Sequence, residues 1–390
     1  MTDNILFRAF RVRPMDRRDS DEAHRAATPL ELFFDLVSVI AIATAAAGLH
    51  HSIAEAHVIE GVVKFICAFF AIWWAWMNYT WFASAYDNDD TVFRLVTMVI
   101  MSGSLTMAAG IGAFFESLDI TLIVIGYVIM RLGMVVLWLR AAAGDSEGRA
   151  TARTYALGIS LAQIFWVIML LSLPLPTAWF YGLFSIGVVL ELAVPVVAES
   201  RGNTPWHRHH MIERYGLLNI IVLGETLLAA SMAIEEAAGG HFDPSLLRIA
   251  IVALIILFSM WWLYFSREEH LERTDLSRAL VWGYGHVLIY ASGAAVGAGI
   301  AVAVEIATHH AHVAPIVGNY AIAIPVAIYC SGLWLVRDRY ALVGPGRMVL
   351  PIFAVAMLVL PLIPFGLEAI AIALVICVIL RSHFACTQGE

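Results

Sequence analysis

The chain has 390 residues, of which 61% are hydrophobic and 14% are charged, and its mean hydropathy is +0.81. Soluble domains are roughly 45–50% apolar and about 25% charged, so this composition excludes an ordinary water-soluble domain and indicates a membrane protein. The net charge of −8 argues against a nucleic-acid partner, and the spacing of the four cysteines fits neither a disulfide framework nor a zinc site.

The first element is a charged tail, residues 1–27, which holds six arginines and lacks the apolar stretch of a signal peptide. The first span begins directly after it. Thr28 and Glu31 form the pattern of a capping box, and Pro29 stands at the first helical position. These residues predict a helix that starts at residue 29, and a helix start alone is one sufficient explanation of Glu31.

Apolar runs of about 20 residues then recur, and each is long enough to cross the roughly 30 Å hydrocarbon core as a helix. The runs are continuous instead of alternating, which favours helices over a membrane barrel. The predicted spans are 29–49, 59–82, 91–115, 120–139, 155–173, 177–198, 211–234, 244–265, 280–305, 315–336, 348–363 and 365–380. The predicted fold class is therefore all-α, a polytopic transmembrane bundle of about 12 helices.

Matching residues in the two halves indicate an internal duplication. The pairs are Glu31 with Glu213 and Thr44 with Thr226 at an offset of 182, Trp73 with Trp261 at 188, and Trp138 with Trp334 at 196. Because the offset drifts without jumping, we interpret the chain as two parallel six-helix repeats. The predicted regions are a cytoplasmic basic tail (1–27), the first membrane repeat (28–199), a cytoplasmic linker (200–210), the second membrane repeat (211–382) and a cytoplasmic tail (383–390).

The positive residues support this count of spans. Of the 23 lysines and arginines, only Lys64, Arg131 and Arg248 fall outside the segments that the count assigns to one side of the membrane. Positive loops stay on the cytoplasmic side during insertion. The sequence therefore predicts that the N-terminus and the C-terminus are both cytoplasmic.

Five residues within the predicted spans are ones that lipid tolerates poorly: Asp35, Arg131, Glu191, Glu225 and His286. A charged side chain at a helix centre costs roughly 2.5–3.5 kcal/mol on insertion scales. Counted at 1.5 Å per residue from the predicted cytoplasmic helix ends, four of them lie in one layer about 9–12 Å deep. Glu225 lies deeper, near the midplane. These five residues are the candidate path for an ion or proton.

A structural explanation stays open beside the functional one. Asp35 is one helical turn beyond the capping box, and it would then form a buried pair with Arg131. Arg131 is expected to contact Asp35 or Glu191, because an unpaired arginine at this depth is costly. Glu225 would be protonated and hydrogen-bonded between helices.

Two further patterns predict structure instead of chemistry. The tryptophans near the ends of two spans, Trp73, Trp74, Trp76, Trp81, Trp261 and Trp262, are typical of an interfacial aromatic belt. The small residues from Gly293 to Gly299 predict close helix packing. The cluster His207, His209, His210 is short and lacks acids, so we expect no metal site and no cofactor.

Two long motifs resemble the bacterial low temperature requirement protein A (LtrA) family. They are Thr28-Pro-Leu-Glu-Leu-Phe-Phe-Asp-Leu-Val and His210-Met-Ile-Glu-Arg-Tyr-Gly-Leu-Leu-Asn-Ile-Ile-Val-Leu-Gly-Glu225, and Tyr284-Gly285-His286 also fits. The resemblance implies a polytopic bacterial membrane protein that is linked by name to growth in the cold, with no settled biochemical activity. It places the chain in the bacterial inner (cytoplasmic) membrane.

A weaker resemblance connects the first span with two-repeat, six-plus-six-helix potassium channels. Phe33-Phe34-Asp35 is similar in placement to the Phe-Ser-Asp signature of those channels. The arginine that precedes the signature is absent in the first repeat, and Leu217 stands in the second repeat where Asp35 stands in the first. The resemblance favours a channel or transporter without identifying one.

The leading functional hypothesis is a channel or transporter for a small ion, proton or solute, carried by buried charged residues between the two repeats. One alternative is a non-transporting scaffold or lipid-binding protein concerned with low-temperature growth. A second is a membrane-embedded enzyme, but the chain has no nucleophile elbow, zinc-protease motif or phosphate loop, so we expect no enzyme. The expected partners are the lipid bilayer and a small cation or proton, and a homo-oligomer is left open.

Overall fold

The protein is described from a computed structural model that covers residues 13–19, 22, 25–238, 244–266 and 276–386. Within these ranges the chain is all-helical, and twelve of its helices are long and apolar enough to cross a membrane. The predicted fold class is confirmed. Most of the predicted N-terminal tail, and residues 387–390 of the C-terminal tail, lie outside the described residues.

The helices are α1 (Pro29–Ala54), α2 (Val58–Tyr86), α3 (Thr91–Ser117), α4 (Thr121–Gly144), α5 (Arg149–Leu171), α6 (Thr177–Glu199), α7 (Arg208–Ala238), α8 (Pro244–Phe265), α9 (Leu276–Ala307), α10 (Pro315–Leu333), α11 (Val349–Val359) and α12 (Gly366–Cys386). A π-helical turn, Trp334–Asp338, continues α10. Short 3₁₀ turns, Gly344–Met348 and Leu360–Leu362, flank α11 and lengthen this span. Together with α11 these turns form the eleventh span, Gly344–Leu362, which was predicted at 348–363.

The helix starts follow local capping chemistry. The backbone N–H of Thr28 donates to Glu31 Oε2 (2.8 Å), and the N–H of Glu31 donates to Thr28 Oγ1 (3.3 Å). This is the predicted capping box, and it satisfies two N–H groups that the first turn of α1 leaves free. Asp90 caps α3 in a similar way, since its Oδ1 accepts from the N–H of Phe93 (2.8 Å).

Packing divides the chain into two compact units. The first consists of Met1–Ala41 and Phe70–Arg214, and the second of Ile42–Phe69 and Tyr215–Glu390. Each of the helices α1 and α2 therefore contributes one part to each unit. The units do not coincide with the predicted repeats 28–199 and 211–382, and the two-repeat arrangement stays a prediction.

Neighbouring helices of the first unit pack in chain order, α3 on α4, α4 on α5 and α5 on α6. Glycine allows the closest approach. A Cβ added to Gly103 of α3 would lie 2.7 Å from the carbonyl oxygen of Gly126 on α4, nearer than real Cβ atoms come to other atoms. Small residues at such crossings let backbones touch, as they commonly do in membrane helix pairs.

In the second unit α9 packs on α10, α10 on α11, and α12 on α8. Gly299 of α9 lies against the backbone of Ala321 on α10, where a Cβ would collide with the carbonyl group. The close packing predicted from the small-residue run of 293–299 is confirmed.

Two arginines fasten the end of α8 in the second unit. Arg337 donates to the carbonyl oxygens of Leu263 (2.6 Å) and Tyr264 (2.5 Å), and Arg381 donates to that of Leu263 (3.1 Å). Arg381 also forms a two-pronged pair with Asp338 (2.6 and 2.9 Å). The last turn of a helix leaves carbonyl groups without intrahelical partners, so these guanidinium groups satisfy them.

Candidate functional site

The first buried charge cluster lies at the start of α1, in the first unit. Glu31 accepts contacts from two residues of α7: Arg214 Nη1 lies 3.2 Å and His210 Nε2 lies 3.1 Å from Glu31 Oε1. All three side chains are fully buried. The capping glutamate of α1 is therefore also the carboxylate that joins α1 to the start of α7.

Asp35 lies one turn further along α1 and shares the same arginine. Arg214 Nη2 donates to Asp35 Oδ1 (2.5 Å), and the indole N–H of Trp76 donates to the same oxygen (2.6 Å). The other oxygen, Oδ2, is buried and has no hydrogen-bond partner among the described residues. Asp35 is therefore an ion-paired carboxylate whose second oxygen accepts no hydrogen bond from the described residues.

Arg25 adds a second guanidinium to this cluster. It donates to the carbonyl oxygens of Ala83 (2.6 Å) and Ser84 near the end of α2, and its Nη2 lies 3.9 Å from Glu31 Oε1. Burial lowers the pKa of Arg25 to about 10, so this side chain still carries its charge at neutral pH. The two acids and two arginines balance in charge when His210 is neutral.

The second buried cluster centres on Glu191 of α6. Arg131 of α4 donates to Glu191 Oε2 (2.5 Å), and the indole N–H of Trp74 donates to the same oxygen (2.9 Å). Gln163 Nε2 (3.3 Å) and Trp166 Nε1 (3.2 Å) of α5 donate to Oε1. Four donors from three other helices saturate this carboxylate, as a buried ionised carboxylate requires.

The guanidinium of Arg131 is less completely satisfied than its partner. Arg131 Nη2 also contacts the hydroxyl of Tyr127 (2.9 Å), and the guanidinium lies 4.9 Å from the centre of that ring. Within the described residues Nε and Nη1 of Arg131, and Oε1 of Gln163, make no hydrogen bond. The cluster therefore holds polar atoms beyond those that the ion pair uses.

The family model of the bacterial low temperature requirement A protein (LtrA) matches residues 26–381, nearly the whole chain and all residues of both clusters except Arg25. The chain belongs to the LtrA family. A relative from Rhizobium meliloti (strain 1021), described as uncharacterized protein RA0937, is 25% identical over 287 residues, which cover 70% of this chain and 68% of the relative.

The pairing of charges in this LtrA-family protein partly follows the sequence prediction. Arg131 contacts Glu191, as predicted. The predicted pair of Asp35 with Arg131 is wrong, since Asp35 pairs with Arg214. Sequence reasoning missed Arg214 because it counted this residue, which lies at the start of the predicted span 211–234, among the arginines on the cytoplasmic side. A signal was present: Arg214 lies six residues beyond the start of α7 at Arg208, the same depth at which Asp35 lies in α1.

The tryptophans of the LtrA chain divide between two environments. Trp73, Trp74 and Trp76 are 2%, 0% and 1% exposed, so their prediction as interfacial anchors is wrong. Two of them instead donate to the buried carboxylates of Glu191 and Asp35. Trp261 and Trp262, by contrast, are 44% and 53% exposed and fit the interfacial position.

Glu225 and His286 belong to the second unit. Glu225 is half-buried on α7, and its carboxylate makes no hydrogen bond or ion pair within the part of the chain that the structure describes. His286 is fully buried, with Nδ1 2.7 Å from the carbonyl oxygen of Trp282 and Nε2 3.1 Å from the hydroxyl of Tyr264. Because a carbonyl oxygen only accepts, Nδ1 donates to Trp282. Both nitrogens of His286 are thus engaged in hydrogen bonds.

Two histidines near the start of α7, His207 and His210, serve as structural partners. His210 pairs with Glu31, and His207 Nε2 lies 2.7 Å from the carbonyl oxygen of Glu22. Across the described ranges no group of three or more His, Cys, Asp or Glu side chains is arranged to hold a metal ion.

Proposed function

We propose that this integral membrane protein of the LtrA family moves protons across the bilayer, with Asp35 as a buried carboxylate that takes up and releases the proton. The observation that carries the proposal is the free oxygen of Asp35. Its Oδ1 accepts from Arg214 and Trp76, whereas Oδ2 is buried without a hydrogen-bond partner among the described residues. A proton added to Oδ2 would break none of these contacts.

The sharing of Arg214 supports repeated protonation. When Asp35 is neutralised, Arg214 keeps the carboxylate of Glu31, whose Oε1 lies 3.2 Å from Nη1. The guanidinium is then never left as an uncompensated buried charge, which is the state that costs several kcal/mol. Arg214 therefore allows Asp35 to change its charge at a moderate energetic cost.

The same arginine argues for a proton in preference to a metal cation. A metal ion bound to Asp35 would lie within a few ångströms of the guanidinium, and the repulsion between like charges is strong where water is scarce. A proton avoids this conflict, because it neutralises the carboxylate without adding a second centre of positive charge beside Arg214.

The other candidate residues take different roles in this proposal. Glu191 already accepts four hydrogen bonds, so its carboxylate has no free oxygen to bind a transported proton or ion. Its role in this proposal, together with Arg131, is to hold α4, α5 and α6 together. Both nitrogens of His286 are occupied. Glu225, half-buried and without a partner among the described residues, is the second carboxylate that exchanges protons, in the second unit.

Proton flux into liposomes tests the proposal. The full chain is reconstituted with a pH-sensitive dye inside the vesicles, and the membrane potential is clamped while a pH gradient is applied. We expect Asp35→Asn and Glu225→Gln to lower the flux at least tenfold. Glu116→Gln, which removes an exposed carboxylate on α3, is the control and should keep the parental flux.

Two results would contradict the proposal. A folded Asp35→Asn variant that conducts like the parent would remove Asp35 from the path. A parent protein that moves no protons under any gradient would remove transport altogether. Glu225→Gln guards against misfolding as an explanation, because a half-buried glutamate without a partner is replaced at small structural cost.

A non-transporting scaffold is the second candidate, and one observation favours it. Each buried arginine of the described residues lies within 4 Å of a buried carboxylate: Arg25, Arg131, Arg214, Arg337 and Arg381. Complete pairing is what a purely structural role requires. Under the scaffold hypothesis the parent shows no flux at any pH, while loss of any of these pairs still destabilises the protein.

A further inference from the structure

A groove of about 410 Å³ runs between α8 and α12 of the second unit, and none of its lining residues belongs to either charge cluster. Its walls are formed by Leu247, Ile251 and Ile255 of α8 and by Ala371 and Ile372 of α12. Leu247, Ile251 and Ile372 are exposed, and Ala371 forms the floor. Since the helices span the membrane, these apolar walls face the environment of lipid acyl chains.

The groove has a charged pair at one end only. Arg248 Nη1 of α8 lies 3.4 Å from Glu368 Oε1 of α12, and the two side chains are 54% and 28% exposed. Arg248 is four residues from the start of its helix at Pro244, or about 6 Å along the axis, and Ile255 lies about 10 Å deeper. The groove is thus polar near the starts of α8 and α12 and apolar along the rest of its length.

This polarity matches a phospholipid better than it matches a soluble ligand. The guanidinium is a bidentate donor suited to a phosphate, and the adjacent carboxylate accepts from a primary ammonium. An ethanolamine headgroup carries both groups next to each other, above two acyl chains. A choline headgroup has no N–H to donate to Glu368, and an anionic glycerol headgroup has no positive charge to offer it.

We propose that the α8–α12 groove is a binding site for one phosphatidylethanolamine molecule. Its phosphate contacts Arg248, its ammonium contacts Glu368, and an acyl chain lies along Leu247, Ile251 and Ile255. The site does not depend on proton transport, because none of its residues takes part in the proposed proton path. The site also gives a role to Arg248, one of the three basic residues that lie outside the predicted cytoplasmic segments.

Lipid retention measures this site directly. The full chain is reconstituted in a bilayer of phosphatidylethanolamine, phosphatidylglycerol and phosphatidylcholine in equal amounts, re-extracted in mild detergent, and its bound lipids are counted by native mass spectrometry. We expect one phosphatidylethanolamine per chain. Arg248→Gln and Glu368→Gln should each lower its retention at least fivefold, and Ile255→Trp should lower it by filling the groove.

Arg94→Gln is the matched control, because Arg94 forms an exposed pair with Asp89 (2.5 Å, 55% and 52% exposed) on the first unit. It should retain phosphatidylethanolamine like the parent. The proposal is overturned by an absence of enrichment over the mixture, by parental retention in both charge variants, or by preference for phosphatidylglycerol. Loss on Arg248→Gln without loss on Glu368→Gln overturns the ethanolamine assignment.

A measurement on the parent alone guards against variants that fail to fold. Phosphatidylethanolamine added to the detergent-solubilised parent should raise its melting temperature more than phosphatidylcholine or phosphatidylglycerol, because a ligand of the folded state stabilises it by mass action. Equal shifts for the three lipids would overturn the site.

Discussion

At the scale of single residues, the pair of Arg131 and Glu191 shows how strongly a membrane constrains its charges. Both side chains are fully buried and lie 2.5 Å apart. Breaking one partner leaves an uncompensated charge, which costs roughly 3–5 kcal/mol in buried sites. The pair should therefore be far more sensitive to substitution than an ion pair of equal length at the surface.

We expect Arg131→Gln to destabilise the protein by about 3–5 kcal/mol, because Glu191 keeps its charge and loses its partner. Arg94→Gln breaks an exposed pair of the same length and should cost less than about 1 kcal/mol. Unfolding of both variants in a denaturing detergent titration gives the comparison. Equal losses of unfolding free energy in the two variants would contradict the larger effect that we expect for the buried pair.

The sequence predicted the pair of Arg131 with Glu191 but missed the pair of Arg214 with Asp35, for an identifiable reason. Arg131 and Glu191 are each surrounded by apolar residues, so each needed a partner and few were available. Arg214 follows a run of polar residues, His207 to His210, and looks like part of a loop. Only the placement of the start of α7 at Arg208 shows that Arg214 is buried at the depth of Asp35.

At the scale of helices, the crossing of α3 and α4 depends on backbone contact. Gly103→Ala places a methyl group 2.7 Å from the carbonyl oxygen of Gly126, so the helices must separate. We expect a loss of about 1–3 kcal/mol, typical of overpacking, and a lower melting temperature. The measurement is thermal unfolding in a mild detergent.

Gly112→Ala on the same helix is the control, because outside its own stretch of helix no atom of the described residues lies within 4 Å of the added methyl group. Alanine is the better helix former by about 1 kcal/mol, so this variant should melt at the same temperature or higher. A melting temperature for Gly103→Ala at or above that of Gly112→Ala would contradict the close crossing.

The positions of the helices could be predicted from the sequence, whereas the surroundings of their side chains could not. Continuous apolar runs show where α2 and α8 lie, since lipid permits little else. The same runs do not distinguish the buried Trp74 from the exposed Trp262, because a tryptophan suits both an interface and a hydrogen bond to a buried carboxylate. Which one applies depends on whether a facing helix brings an acid, and that is a property of packing.

At the scale of the whole molecule, we predict that both ends of the chain lie on one side of the membrane, because the described residues form an even number, twelve, of membrane-length helices. We predict that this side is the cytoplasm, because the arginine-rich loops lie there. The loop at Asp119, between α3 and α4, is then outside, and the loop at Glu147, between α4 and α5, is inside.

Cysteine labelling in intact cells tests this orientation. In a background without the native cysteines, a membrane-impermeant maleimide should label Asp119→Cys at once and Glu147→Cys only after permeabilisation. The reverse pattern would invert the topology, and labelling of both in intact cells would contradict the span of α4. The number of spans could be predicted from the apolar runs. The division of α1 and α2 between two compact units could not, because it depends on which residues pack together, and the matching residues of the predicted repeats carry no information on packing.

The fastening of α8 by Arg337 and Arg381 also has a consequence in time. Synthesis completes α8 at Phe265 well before it reaches Arg381, and the interval of 116 residues (265 to 381) lasts roughly 6–23 s at translation rates of about 5–20 residues per second. The carbonyl group of Leu263 lacks both of its guanidinium donors until Arg337 is made, and it lacks one of them until Arg381 follows. Until then Asp338 is paired with Arg337 alone. The contacts that hold the end of α8 in the second unit are therefore complete only when the last helix has been made.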